Sequence, residues 1–301
     1  MRNPFASRLA PWPTGVLDPS TRALVVLAHP DDEMACGGLA QRLPPTSRFL
    51  WLTDGDGLAE GAGMRRAEYG AARRLESEAA MAAIGVGPER LRFLGNSEVE
   101  IYDAFARCAA NPSARHEVFE QARVLARQVA AEVLAFRPDA VFTLAWQGAQ
   151  PVHDLLHVLV RRALDRMPGA RLFEMPLFDP WSLVPLRFAP WHPGPIHELR
   201  LTPEEAAAKR RMTRCWTSQD AVLRPLTAAI TGAGRLAGLA GRRFDLATLL
   251  AVEHFAPVPR DRDYVRSPHR LELLDHPLDR YQGRRITHSG SIAPIVQALS
   301  N

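Results

Sequence analysis

Short apolar runs alternate with longer amphipathic stretches over the first 175 residues. Ala23–Ala28 (ALVVLA) is rich in branched residues and predicts a buried strand. Arg48–Thr53, Leu91–Leu94, Pro138–Ala145 and Arg171–Met175 predict further strands. Between them, Glu33–Leu43 predicts a short helix stopped by Pro44-Pro45. Met64–Ile84 predicts a long Ala-rich helix closed by Gly85, and Glu117–Phe136 and His153–Leu164 predict two more. Strands separated by helices require crossover connections. The expected fold is therefore α/β: a Rossmann-like three-layer sandwich around a mostly parallel sheet. In such sheets ligands sit beyond the carboxyl ends of the strands, which here are the turns at His29 and Asp54 and the loop Trp146–His153.

The pattern changes further on. Phe178–Pro195 is rich in Pro and Trp and predicts irregular structure. Pro203–Trp216 is helical by pattern, with Thr202 as N-cap and Pro203 at the first position. Ala221–Leu250 is helical in pattern but interrupted by Pro225, Gly232, Gly234, Gly238 and Gly241. From Pro257 the chain turns polar and charged. We expect a main domain over 1–256 and a C-terminal extension over 257–301 that wraps it and is partly loose near the end.

Composition removes several function classes. A length of 301 residues with 47% hydrophobic content excludes wholesale disorder. No run of about 18 apolar residues exists, so no transmembrane helix is expected. The first fifteen residues lack an apolar core, which makes a cytoplasmic protein the expectation. Cys36, Cys108 and Cys215 lie far apart, which fits neither a disulfide framework nor a thiolate zinc knuckle. The 37 basic residues, of which only Lys209 is lysine, are interleaved with 33 acidic ones, so no basic stripe marks a nucleic-acid partner.

The densest chemistry is Ala28-His29-Pro30-Asp31-Asp32-Glu33, at the end of the first strand. Pro30 biases His29 toward extended backbone. An imidazole and a carboxylate, His29 and Asp32, can then converge on one divalent ion, with Asp31 aimed at its water. The alternative is an acidic cap after a strand beside a surface histidine.

The segment VVLAHPDDEMACGGLA resembles the signature of the LmbE-like/PIG-L family of zinc-dependent N-acetylglucosaminyl de-N-acetylases, which includes amidases of low-molecular-weight thiols. Arg73-Arg74-Leu75-Glu76 with Ala79-Ala80 and Ile84-Gly85-Val86, then Phe93-Leu94-Gly95 and Pro138-Asp139-Ala140-Val141, resemble later family motifs. So do Lys209 with Ser218-Gln219, and Glu253-His254-Phe255, which extends the resemblance over roughly residues 22–275. It implies His29 and Asp32 as metal ligands and Asp31 as general base. The third ligand is His153, aligned on the last histidine of the family's HPDH motif. The metal is Zn2+, or another divalent ion such as Fe2+, and metal-bound water is the nucleophile. Arg73 matches a substrate-contacting position. The implied partner is a small N-acylated amino sugar or glycoconjugate, with the oligomeric state left open.

The chain departs from that pattern at Gln150 and Val152, where the family has histidine and aspartate. Gln150 can donate to an oxyanion but cannot act as a protonated acid. Three readings follow. One is a hydrolase in which Asp31 also serves the leaving amine and Gln150 touches substrate. Another is a metal-binding protein with weakened or lost catalysis that holds a glycoside or metabolite. An amidase for a different acyl amide is a third. His157, four residues past His153, is either an alternative ligand or a helix histidine. Asp54, Asp56, Trp146, Trp181 and Trp191 either line a sugar pocket or are turn and packing residues. His269, His276 and His288 carry no assignment.

Overall fold

The computed structural model describes residues 9–177, 185–189, 192–221, 224, 225, 227, 228, 231, 232, 245–268, 280, 281 and 284–300. The strands β1 (Leu9–Ala10), β2 (Ala23–Leu27), β3 (Arg48–Thr53), β4 (Leu91–Asn96), β5 (Ala140–Leu144), β6 (Arg171–Met175), β7 (Ile196–Arg200) and β8 (Val252–Pro257) form one sheet. Their order is β1-β7-β8-β6-β5-β2-β3-β4. Strands β2 to β6 run parallel, and β8 runs antiparallel between β6 and β7. Every residue of β2 and of β5 is buried, as continuous apolar strands with both faces covered must be.

The helices fall into two packing groups. One holds α1 (Gly37–Arg42), α2 (Arg66–Ala82), α6 (Pro203–Met212) and α7 (Leu246–Leu250). The other holds α3 (Glu98–Ala110), α4 (Arg115–Phe136), α5 (Pro151–Ala163) and α8 (Ala293–Ser300). This is the α/β sandwich that the hydrophobic pattern predicts. Among the described residues, no helix is long and apolar enough to cross a membrane.

The strand order positions the site. From β2 the chain steps outward through β3 to β4, then returns through α3 and α4 to β5 on the other side of β2. The order therefore reverses between β2 and β5, and beyond the carboxyl ends of such a pair is where ligands bind in open α/β sheets.

Several elements differ from expectation. The helix expected over Glu33–Leu43 is divided into a 3-10 turn, Asp32–Ala35, and α1, because the Glu33 side chain is drawn inward. Thr202 and Pro203 do open α6, with a reciprocal capping box to Glu205. That helix ends at Met212 and not at Trp216, whose indole turns inward to donate to Glu33 at 3.0 Å. Helix α3 was not anticipated, although Ser97 caps it and Ile101, Ala104, Phe105 and Cys108 form its buried stripe. Strands β7 and β8 also escaped the pattern, since Glu198, Glu253 and His254 break their apolar character. Among the described residues of the expected extension, α8 buries Ile295 and Val296 in the main core. Half of Phe178–Pro195 and most of Ala221–Leu250 lie outside the described residues, as do Trp181, Trp191, His269 and His276.

Candidate metal centre

His29 and Asp32 leave the end of β2, and His153 leaves the first turn of α5, beyond β5. The three are buried and their donor atoms lie within 4.8 Å of one another. His29 Nδ1 stands 3.2 Å from His153 Nε2 and 3.5 Å from Asp32 Oδ2, and His153 Nε2 is 3.3 Å from Asp32 Oδ1. Metal–ligand bonds of about 2.1 Å in a tetrahedron place donors about 3.4 Å apart, and the His29 Nδ1–His153 Nε2 and His153 Nε2–Asp32 Oδ1 separations match that spacing. Asp32 Oδ2 accepts the N–H groups of Ala28 at 3.0 Å and His29 at 2.6 Å, which leaves Oδ1 turned toward His153 Nε2. Electrostatics favour positive charge here. Burial opposes it, but Glu98 and Asp32 push the His29 imidazole up to about 10. Against the same cost of burial, His153 and His29 hold the Asp32 carboxyl well below the usual range.

Asp31 takes φ 112°, a region that non-glycine residues rarely occupy and that costs about 1–3 kcal/mol. Glu33 and Arg73 hold it there. Glu33, fully buried, accepts the Asp31 N–H at 2.9 Å, Ser77 Oγ at 2.6 Å and the indoles of Trp51 at 3.2 Å and Trp216 at 3.0 Å. Arg73, which the resemblance assigns to substrate, is buried. Its guanidinium donates to the carbonyls of Pro30 and Gly55 and pairs with Asp31 Oδ2 at 3.2 Å. Gly55 is required there: its φ is 63° and a Cβ would lie 3.0 Å from Arg73 Cζ. Burial, against the pull of Arg73, pushes the Asp31 carboxyl up to about 7.

Gln150 is the N-cap of α5. Its Oε1 accepts from Val152 N at 2.7 Å and His153 N at 3.1 Å, while its amide nitrogen stands 3.4 Å from His29 Nε2. Val152 is core. Asp154 Oδ1 accepts the N–H groups of Gln147 and Gly148 and so orders the loop before α5. A residue absent from the sequence reading completes the site: Glu98, whose Oε1 lies 3.2 Å from His29 Nε2. Its only signal is the capped start of α3. Asp56 caps that helix, with Oδ1 accepting from Glu98 N at 2.7 Å and Oδ2 from Ser97 Oγ at 2.6 Å.

His157 does not join the metal set. Its Nδ1 meets the Leu144 carbonyl at 2.8 Å and its Nε2 the Tyr264 hydroxyl at 3.0 Å, an arrangement that satisfies a neutral ring. Trp146 packs edge-on against Tyr264 and His288, so it serves packing in this structure. Glu174, clamped by Arg262 at 2.6 and 2.7 Å and by His192 at 3.2 Å, sits in the same cluster. Burial lowers His157 to about 4. A histidine depressed from 6.5 stabilises the fold fully above pH 6.5, and that contribution fades as pH falls toward 4. The difference amounts to about 3 kcal/mol. Urea unfolding should therefore show a smaller loss between pH 7 and pH 4.5 in His157→Gln than in the parent. Equal losses would remove His157 from the acid sensitivity.

The later motif residues are structural neighbours of the turn. Lys209 Nζ pairs with Glu253 Oε1 at 2.5 Å, and Glu253 accepts the Gly38 and Leu39 N–H groups at 2.6 and 2.8 Å. Ser218 bonds Glu76 through its N–H at 2.8 Å and Oγ at 2.6 Å, and Gln219 meets the Tyr69 hydroxyl at 2.7 Å.

Comparison with known proteins bears on the fold. Residues 24–164 match the family PIG-L: GlcNAc-PI de-N-acetylase. Comparison with curated proteins gives no match. Among solved structures, a deacetylase of the teicoplanin biosynthesis pathway is 17% identical over 81% of this chain and 100% of its own, with a TM-score of 0.56. The A40926 pseudoaglycone deacetylase Dbv21 is 17% identical over 81% of this chain and 99% of its own, at 0.54. A zinc-inhibited form of the teicoplanin deacetylase Orf2 is 16% identical over 81% and 100%, at 0.51. At such identities the likeness is one of fold. The family match spans β2 to α5, the elements beside which His29, Asp32 and His153 sit, and over that stretch the chain is similar to the PIG-L (LmbE-like) family.

Proposed function

We propose that the protein is a metal-dependent hydrolase that removes an N-acetyl or other N-acyl group from a sugar-like or glycosylated small molecule. The observation that carries this reading is the convergence of His29, Asp32 and His153 beside the strained Asp31. These residues would hold a divalent ion, Zn2+ or Fe2+, which supplies Lewis acidity and a water of lowered pKa. Asp31 accepts the proton of the attacking water. It returns a proton to the amine as the C–N bond breaks, so amide and water become carboxylic acid and amine. The Gln150 amide nitrogen, its oxygen engaged by the helix, is free to donate to the developing oxyanion. Arg73 holds the Asp31 turn and acts on substrate through it. The deacetylase fold of the neighbours supports this class of reaction, and two of them, a deacetylase of the teicoplanin biosynthesis pathway and the A40926 pseudoaglycone deacetylase, support including larger conjugates beside simple amino sugars as substrates.

The test is release of primary amine and acid from a panel of N-acetyl and longer N-acyl amino sugars and glycoconjugates. The chain is stripped with chelator and reloaded separately with Zn2+ or Fe2+. Because one neighbour is a zinc-inhibited form, the zinc series extends from substoichiometric to excess. Release that is lost on chelation and restored by one of the ions is the expected result. Binding of an N-acylated sugar without any release, with both ions, would replace the hydrolase with a binding protein.

A further inference from the structure

The His29 ring has two nitrogens with different surroundings. Nδ1 faces Asp32 and His153. Nε2 faces Glu98 Oε1 at 3.2 Å and the Gln150 amide nitrogen at 3.4 Å. A ligating imidazole nitrogen must be unprotonated, so the hydrogen of a metal-bound His29 resides on Nε2. Gln150 cannot accept that hydrogen. Its oxygen is already held by the Val152 and His153 N–H groups, and its amide nitrogen is donor-only. Glu98 is the acceptor at hand.

Glu98 is also built into place. Its backbone N–H donates to Asp56 Oδ1, and its Oε2 accepts the Gly57 N–H at 3.3 Å. It sits in the first turn of α3, where the helix dipole favours a negative charge. The turn Asp54-Gly55-Asp56-Gly57 thus acts through α3 on His29.

We propose that Glu98 is a positioning residue that fixes the tautomer and orientation of the His29 ring, keeping Nδ1 open toward the ion. This inference rests on the metal-dependent reading above. The experiment is calorimetric titration of Zn2+ into the metal-free full chain, for the parent, Glu98→Ala, Glu98→Met and Glu98→Gln. It is paired with nitrogen-15 NMR of the His29 ring in the zinc-loaded chain. Carboxylates in this outer position are worth about 10–100-fold in metal affinity. The Ala and Met variants should lose affinity in that range and lose the slow solvent exchange of the Nε2 hydrogen. The Gln variant, which keeps a carbonyl acceptor, should recover much of both. Met, closest to Glu in volume, gives the same reading if Ala does not fold. Parent-like affinity in Ala or Met, or a Gln variant as weak as they are, overturns the role of Glu98 and leaves the metal centre standing. A parent chain that takes up neither Zn2+ nor Fe2+ overturns both.

Discussion

Replacing Asp31 by Asn should lower amine release by about 10²–10⁴-fold and leave metal binding in place. The substitution is nearly isosteric and removes the only carboxylate that the turn offers besides the ligand Asp32 and the inward-drawn Glu33. The backbone carrying it is strained at φ 112° and held by Glu33 and Arg73, so the side chain has little freedom to be replaced by a neighbour. Its carboxyl, pushed up to about 7 by burial, is suited to take a proton and give it back near neutral pH. A cation beside it favours ionisation, so the acid limb of the rate profile should fall at or below that value. The base is active above its pKa, so activity rises with pH through the limb and the limb vanishes in the variant. The measurement is kcat/KM against pH for both proteins, with zinc titrated in parallel. Turnover equal to the parent would move the proton transfer to another group.

The second large effect concerns stability. Lys209→Met should destabilise the fold by about 3–5 kcal/mol, because it strands a buried carboxylate. Lys209 and Glu253 are both 1% exposed at the side chain, and Lys209 is the only lysine in the chain. Arginine is the rule elsewhere. This buried slot between α6 and β8 takes the slimmer ammonium. Glu253 keeps its two bonds from the first residues of α1, which places the expected loss toward the lower end. Adding Glu253→Gln to Lys209→Met removes the stranded charge. The double variant should then be more stable than the single one, since effects at contacting residues do not add. Denaturant midpoints at constant slope decide the matter, and a single variant within about 1 kcal/mol of the parent would contradict the argument. Because Glu253 grips α1 just beyond the metal turn, weaker zinc binding should accompany the loss.

How far the site could be read in advance differs by residue. His29, Asp31 and Asp32 lie within one turn after an all-apolar strand, and local spacing alone brings them together. His153 required the family resemblance, since nothing in the chain between says that α5 returns beside β2. Glu98 was not legible at all. Its neighbours spell an ordinary capped helix, and its role comes from a helix that starts beside the His29 ring. Arg73 and Asp56 were readable as candidates, but their inward engagement with the Asp31 turn and with the α3 N-terminus was not. His157 shows the converse: helical spacing put it on the His153 face, and the fold spent it on Leu144 and Tyr264.

By itself, the sequence determined the elements and the local turn. Apolar runs with period-matched helices between them leave a mostly parallel sheet as the only economical way to bury the strands. A proline-containing turn at a strand end puts imidazole and carboxylates within reach of one another. The tertiary structure decided where the order of strands reverses. That reversal between β2 and β5 carries His153 across 124 positions to 3.2 Å from His29, and sets α3 so that Glu98 meets the far side of the same ring. Contacts of this kind depend on which strands pair, and pairing is a property of the whole buried sheet, not of any segment read alone.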